Sequence, residues 1–174
     1  GLNAALAGGL LLASLVFDAV LDPLVGHIAD RFPSRFGKYG GLIILGAPVA
    51  ALSFVALYSL PLLSEPSALL VFVLIFGFRL GYSLIDAPHN ALLARVRPDG
   101  PGRARLAGYR FFFSSLASFI IAFALVPLVG SDSNMTLSPE RLFVFAMIVA
   151  VLSCLVMIFS WIAIRRVDVF EKSY

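Results

Sequence analysis

The sequence predicts an all-α membrane protein with five spanning helices, on two observations. Sixty per cent of its 174 residues are apolar and only 13% are charged, against roughly a quarter charged in an average soluble domain. The apolar residues fall into five long blocks, at about 4–29, 40–62, 67–94, 107–130 and 141–165. A run of about 18 or more such residues crosses a hydrocarbon core of roughly 30 Å as a helix.

The connections between blocks set the orientation. The first, Asp30 to Lys38, is basic and carries Pro33 and Gly37 as helix stops. The second, Ser64 to Ser67, has no Lys or Arg. The third holds Arg95, Arg97, Arg103 and Arg105, with Arg110 just inside the next block. The fourth, Ser131 to Glu140, is polar with Arg141 only at its edge, and the C-terminal end brings Arg165, Arg166 and Lys172. Basic and non-basic connections alternate, so the positive-inside rule puts the first, third and last on the cytoplasmic side and the N-terminus outside. An external N-terminus with neither a signal sequence nor a starting Met predicts at least one spanning helix before Gly1. Residues 1–174 are then expected to be one partial N-terminal bundle. The net charge of +3 is accounted for by these loops, and no nucleic-acid partner is expected. Cys154, alone, excludes an internal disulfide.

The blocks differ in what they carry. The second and fifth have no interior charge and read as lipid-facing over much of their circumference. In the first, Ser14, Asp18 and Asp22 step by four and stack on one face. In the third, Arg79, Tyr82, Ser83, Asp86, His89 and Asn90 make one polar stripe at helical spacing. In the fourth, Arg110, Ser114 and Ser118 again step by four. Three polar faces that cannot look at lipid are expected to converge on a watery cavity. Counting back from the first arginine after each block at about 1.5 Å per residue, Asp22 and Asp86 both lie roughly 14 Å deep, Asp18 roughly 20 Å and Arg79 roughly 24 Å. Each such charge costs at least about 2.5–3.5 kcal/mol on insertion scales, which marks the group as functional. Two of the acids adjoin prolines, in Asp22-Pro23 and Asp86-Ala87-Pro88. These prolines leave the carbonyls of Ala19 and Leu84 without helix hydrogen bonds. Carboxylates, freed carbonyls and the Ser83 hydroxyl form an all-oxygen environment suited to Na⁺ or a proton. There is no Ser/His/Asp grouping, metal-ligand cluster or phosphate loop to suggest an enzyme or a cofactor, and His27 and His89 are too few for a metal site.

Phe17-Asp18-Ala19-Val20-Leu21-Asp22-Pro23, the following Gly26-His27-Ile28-Ala29-Asp30-Arg31, and Ser34-Arg35-Phe36-Gly37-Lys38 together resemble the glycoside–pentoside–hexuronide:cation symporters of the major facilitator superfamily, a melibiose permease-like family. Tyr82 to Pro88 is similar to that family's fourth helix, and Tyr109-Arg110-Phe111-Phe112 to the start of its fifth. The resemblance implies that the five spans are the second to sixth of about twelve, in a multi-pass protein of the bacterial inner membrane. It implies a cation site at Asp18, Asp22 and Ser83, and a solute site at Asp86 and Arg110, to which Tyr82 and Asn90 are added from the polar stripe. The motif loop, with Gly26, Asp30, Arg31, Arg35 and Lys38, is expected to gate the cytoplasmic side. The partners implied are a small-molecule solute, the bilayer and the remaining helices of the same transporter.

Arg79 departs from the family pattern, where a small or uncharged residue is usual. It either snorkels to the outer surface or acts as an internal counter-ion to Asp18. The leading expectation is a cation-coupled transporter of a sugar-like or other small organic solute. The alternatives are a transporter of the same fold without Na⁺ coupling, for instance for a lipid-like substrate, and a non-transporting membrane scaffold.

Overall fold

Each of the five apolar blocks forms a helix long enough to cross a bilayer. The computed structural model describes residues 4–31, 36–63, 65–96, 100–126 and 138–166. Its helices are α1 (Ala4–Arg31), α2 (Gly40–Ser59), α3 (Ala68–Val96), α4 (Gly100–Leu125) and α5 (Pro139–Ile164), with a single 3₁₀ turn (Leu60–Leu62) ending α2. Among the described residues there is no extended sheet. The interior prolines Pro23, Pro48 and Pro88 sit within continuous helices.

The largest boundary difference from the sequence reading is at α4. It begins at Gly100 rather than 107, so Arg103 and Arg105 lie on its opening turns instead of in a loop. Pro101 is tolerated there because the first amides of a helix have no intrahelical acceptor. Pro127, read inside the fourth span, falls outside the described residues, as do Ser64, Arg97 and Lys172.

Helix α2 is the hub. It packs most extensively on α3 and next on α5, while α1 packs on α3. Its buried residues, Gly40, Ile43, Gly46 and Ala47, lie on one stripe of the helix. The α2–α3 interface is close because small residues line it. A Cβ on Gly81 would lie 2.4 Å from the Ala50 backbone nitrogen, and one on Gly46 would lie 2.8 Å from the Gly81 carbonyl oxygen. Without a hydrophobic force between helices in lipid, such backbone approach and the dispersion contacts it permits hold the pair together. The end of the bundle that carries the α1–α2 turn is closed by a small core of Ala29, Tyr39, Ile43 and Leu92, with Met157 against it, joining α1, α2, α3 and α5. Helix α4 stands apart. It touches α3 alone to any extent, and side chains 108–124 are all exposed.

Cys154, on α5, directs its thiol at the Ala47 carbonyl across 3.7 Å, a weak packing contact.

Gly81→Ala is expected to lower stability by about 1–3 kcal/mol, because the methyl meets backbone that cannot rotate away. Gly8→Ala, with nothing within 4 Å of its Cβ, should be neutral or slightly stabilising. Thermal unfolding of both variants in detergent checks the contrast.

Candidate functional site

The polar seam is built between α1 and α3. Asp18 and Asp22 lie one turn apart on α1, and Arg79 and Ser83 lie one turn apart on α3, so each pair presents one face of its helix. The faces meet rung by rung. Arg79 Nη1 donates to Asp18 Oδ2 at 2.8 Å, and Ser83 Oγ donates to Asp22 Oδ1 at 2.5 Å. Both rungs join residues 61 positions apart in the chain. A constant offset, with both numbers rising together, requires α1 and α3 to run parallel. Parallel neighbours separated by one intervening helix are what the alternating loop charges demand.

That register moves one expected depth. Asp86 is level with Val25 on the 61-residue offset, not with Asp22. It therefore lies about three residues, or roughly 5 Å, nearer the C-terminal end of α3. The loop arginines misled because Arg95 is three residues further down α3 than the offset places the partner of Arg31.

The Arg79–Asp18 pair is partly enclosed, with side chains 28% and 24% exposed. Each charge alone would carry the insertion cost of a bare ion in hydrocarbon, and pairing offsets both. The second carboxylate oxygen, Asp18 Oδ1, is buried and has no hydrogen-bond partner among the described residues. Leaving such an acceptor unsatisfied costs about 1–3 kcal/mol. Outward of the rungs the seam turns apolar: Phe17 and Phe76 meet edge to face at 4.4 Å. Ser14, also buried, lines a narrow cavity there with Ile75 and Arg79.

Toward the C-terminal end of α3 a second cluster forms between α3 and α4. Arg110 Nη2 donates to Asp86 Oδ1 at 2.6 Å, Arg110 Nη1 donates to the Asn90 side-chain oxygen, and Asn90 Nδ2 donates to Asp86 Oδ2 at 2.9 Å. Asp86 and Asn90 are one turn apart on α3, so the guanidinium spans a fork already pre-set by their mutual hydrogen bond. Tyr82, one turn above Asp86, is 49% exposed and stacks on Phe78. Ser114 and Ser118 are not drawn into the cluster. Both are exposed, and Ser118 Oγ bonds back to the Ser114 carbonyl at 3.0 Å. The expected convergence on one cavity is therefore seen only as two pairwise contacts among the described residues, α1 with α3 and α3 with the first half of α4.

The loop after α1 is described in part. Arg35 and the Asp30 side chain lie outside the described residues; Gly26 is half-buried and Arg31 is exposed. Phe36 and Gly37 of the motif do the docking, together with Trp161 and Tyr39, which the sequence did not mark. Phe36 packs edge to face on Trp161 of α5, and the Trp161 indole N–H donates to the Phe36 carbonyl at 3.0 Å. Gly37 follows at φ 108°, a left-handed conformation that favours glycine. It turns the chain so that Tyr39 enters the core, with the Lys38 ammonium 5.2 Å from its ring centroid. The aromatic-Gly-Lys spacing was the available signal, but Trp161 stood among apolar residues with nothing to mark its partner.

Residues 1–174 match the family described as MFS/sugar transport protein. The uncharacterized symporter YnaJ of Bacillus subtilis is 29% identical over 143 residues, covering 82% of this chain and 31% of the relative. The glucuronide carrier protein homolog of Escherichia coli is 32% identical over 135 residues, 76% of this chain and 30% of the relative. The putative glycoside/cation symporter YagG of Escherichia coli is 30% identical over 131 residues, 75% and 28%. The chain thus spans under a third of the length of these relatives.

The Asp18–Arg79 rung should show strong coupling. Asp18→Asn leaves a stranded guanidinium, whereas Asp18→Asn with Arg79→Ala leaves no charge. The double variant should therefore be more stable than the sum of the single effects by at least about 1 kcal/mol, read as a double-mutant cycle on thermal unfolding. Additive effects would mean that the two groups do not interact.

Proposed function

This chain belongs to the MFS/sugar transport protein family, of the glycoside–pentoside–hexuronide:cation type, and on that premise we propose that it forms part of a cation-coupled secondary transporter for a sugar-like or other small organic solute. One observation carries the reading. The carboxylates of α1 are bridged to α3 inside apolar spans, and α3 in turn is tied by Asp86 and Asn90 to Arg110 of α4. Charged groups that cost this much to insert are retained where an ion or solute must pass.

In this reading Asp18, Asp22 and Ser83 form the coupling site, for Na⁺ or H⁺. Asp86, Arg110 and Asn90 bind the solute, with Tyr82 as an exposed aromatic wall beside them. The fork of Asp86 and Asn90 presents acceptors and a donor at fixed spacing, suited to neighbouring hydroxyls, and the guanidinium suits a hydroxyl or a carboxylate. A solute entering between α3 and α4 would exchange its own hydrogen bonds for the Arg110–Asp86 bond, so little is lost on opening the pair. The sparse α3–α4 contact favours such opening. Cation binding one to two turns above stiffens the α1–α3 seam and sets α3 for solute binding, and alternating access follows as the two halves of the transporter rock about the site. The five helices stand as the second to sixth of about twelve, the exposed face of α4 receives further helices of the same transporter, and the location is the bacterial inner membrane. The names of the glucuronide carrier and glycoside/cation symporter relatives support a glycoside-like solute. The Arg79–Asp18 pair favours a second reading, the same transporter without Na⁺ coupling.

The test is uptake by the full-length parent in membrane vesicles, with radiolabelled methyl glucuronide and methyl galactoside under separately imposed Na⁺, Li⁺ and proton gradients. At least one solute should accumulate in response to a gradient. Asp86→Asn should raise its KM by about tenfold or more, the loss of a charged hydrogen-bond partner, while gradient dependence persists. Asp22→Asn should abolish the gradient's effect. Equal uptake with and without every gradient would contradict coupling.

A further inference from the structure

The coupling site contains a positive charge of its own. Asp18 and Asp22 bring two negative charges to the α1–α3 seam, and Arg79 returns one positive charge, fixed on α3 and bonded to Asp18 Oδ2 at 2.8 Å. A guanidinium stays charged under all physiological conditions. Its attachment to α3, which is itself packed in register on α1, gives it an effective concentration at Asp18 that a dissolved ion does not match.

We propose that Arg79 is a resident cation of the coupling site, holding Asp18 in the place a free alkali-metal ion would take, so that the transporter binds no Na⁺ there. The inference rests on reading Asp18, Asp22 and Ser83 as that site. Snorkelling to the outer surface, the other course open to a long cationic side chain, does not describe Arg79: its side chain is 28% exposed and its terminal nitrogen is on the carboxylate.

The surroundings favour exclusion further. A hard cation needs several oxygens at once. Asp18 Oδ2 is taken by the guanidinium, and Asp22 Oδ1 accepts from Ser83. Of the two carboxylate oxygens left over, Asp22 Oδ2 and Asp18 Oδ1, the latter is buried and belongs to the carboxylate that already carries the guanidinium. A metal ion bound to it would sit across one carboxylate from a fixed positive charge in a medium of low dielectric, where like charges repel strongly. The charged and titratable groups around the rungs are Asp18 and Asp22 of α1, Arg79, Tyr82 and Asp86 of α3 and, beyond them, Arg110 of α4. Arg110 is itself engaged by Asp86. The seam therefore offers a free alkali metal one net negative charge, where the same pair of aspartates without Arg79 would offer two.

The test is binding of radioactive sodium to the purified full-length parent in detergent, at fixed pH and with no solute. Wild type should show no saturable binding. Arg79→Ala should gain it, with affinity at least about tenfold above any seen in wild type, reflecting removal of a charge within a few ångströms. Asp18→Asn added to Arg79→Ala should remove the binding again. Should Arg79→Ala fail to yield monodisperse protein, Arg79→Gln, closer in size, takes its place. Saturable Na⁺ binding by wild type overturns the proposal, and so does a folded, monodisperse Arg79 variant that gains none. Binding that survives Asp18→Asn in the Arg79→Ala background also overturns it, since the ion would then sit elsewhere. Because no solute is present, failure here leaves the transport reading standing. Absence of gradient-driven uptake in vesicles would count against coupled transport, not against Arg79 holding Asp18.

Discussion

A carboxylate in hydrocarbon has no water to fall back on, and the arrangement of α1, α3 and α4 follows from that. Asp18 and Asp22 must find partners on a neighbouring helix or not be inserted. Helix α3 supplies them with the same one-turn spacing, and two rungs fix translation along the helix axes as well as the face presented. One rung would allow the helices to pivot; two at a constant offset do not. The rest of the bundle supports this register. Gly46 and Gly81 bring α2 against α3, α2 carries α5, and Trp161 of α5 holds the turn through Phe36 and Gly37 that returns the chain from α1 to α2.

The two polar clusters differ in rigidity for reasons of packing. The Asp18–Arg79 and Asp22–Ser83 rungs lie between helices with apolar contacts around them, and Ser83 is almost wholly buried. The Asp86–Asn90–Arg110 cluster joins α3 to a helix that otherwise scarcely touches it. One is a seam and the other a clasp. The clasp can open without disturbing the seam, which keeps α1 and α3 together as one body.

The spans were legible because a bilayer leaves few alternatives: length, hydropathy and loop charge give five helices and their order. The family was legible from residues tied to particular needs, such as Asp22-Pro23 and the aromatic-Gly-Lys turn. Spacing by four told which side chains share a face of α1 or α3, but not how far one helix slides along the other. Counting from loop arginines erred by about one turn at Asp86, since the arginine after α3 lies beyond the level of the one after α1. The role of α2 was hidden for another reason. A helix packed through glycine and alanine carries no polar mark, and small residues amid Leu and Ile look the same facing lipid or protein.

The register of α1 on α3 is the claim from which the rest follows, and cysteine cross-linking tests it directly. In the full-length parent with Cys154→Ser, Ser14→Cys paired with Ile75→Cys continues the 61-residue offset one turn outward. This pair should form a disulfide readily under mild oxidation. Ser14→Cys paired with Tyr82→Cys uses nearly the same face of α3 but lies about 10 Å further along the axis, and it should not. Efficient cross-linking of the second pair and none of the first would contradict the register, and with it the Arg79–Asp18 and Ser83–Asp22 rungs.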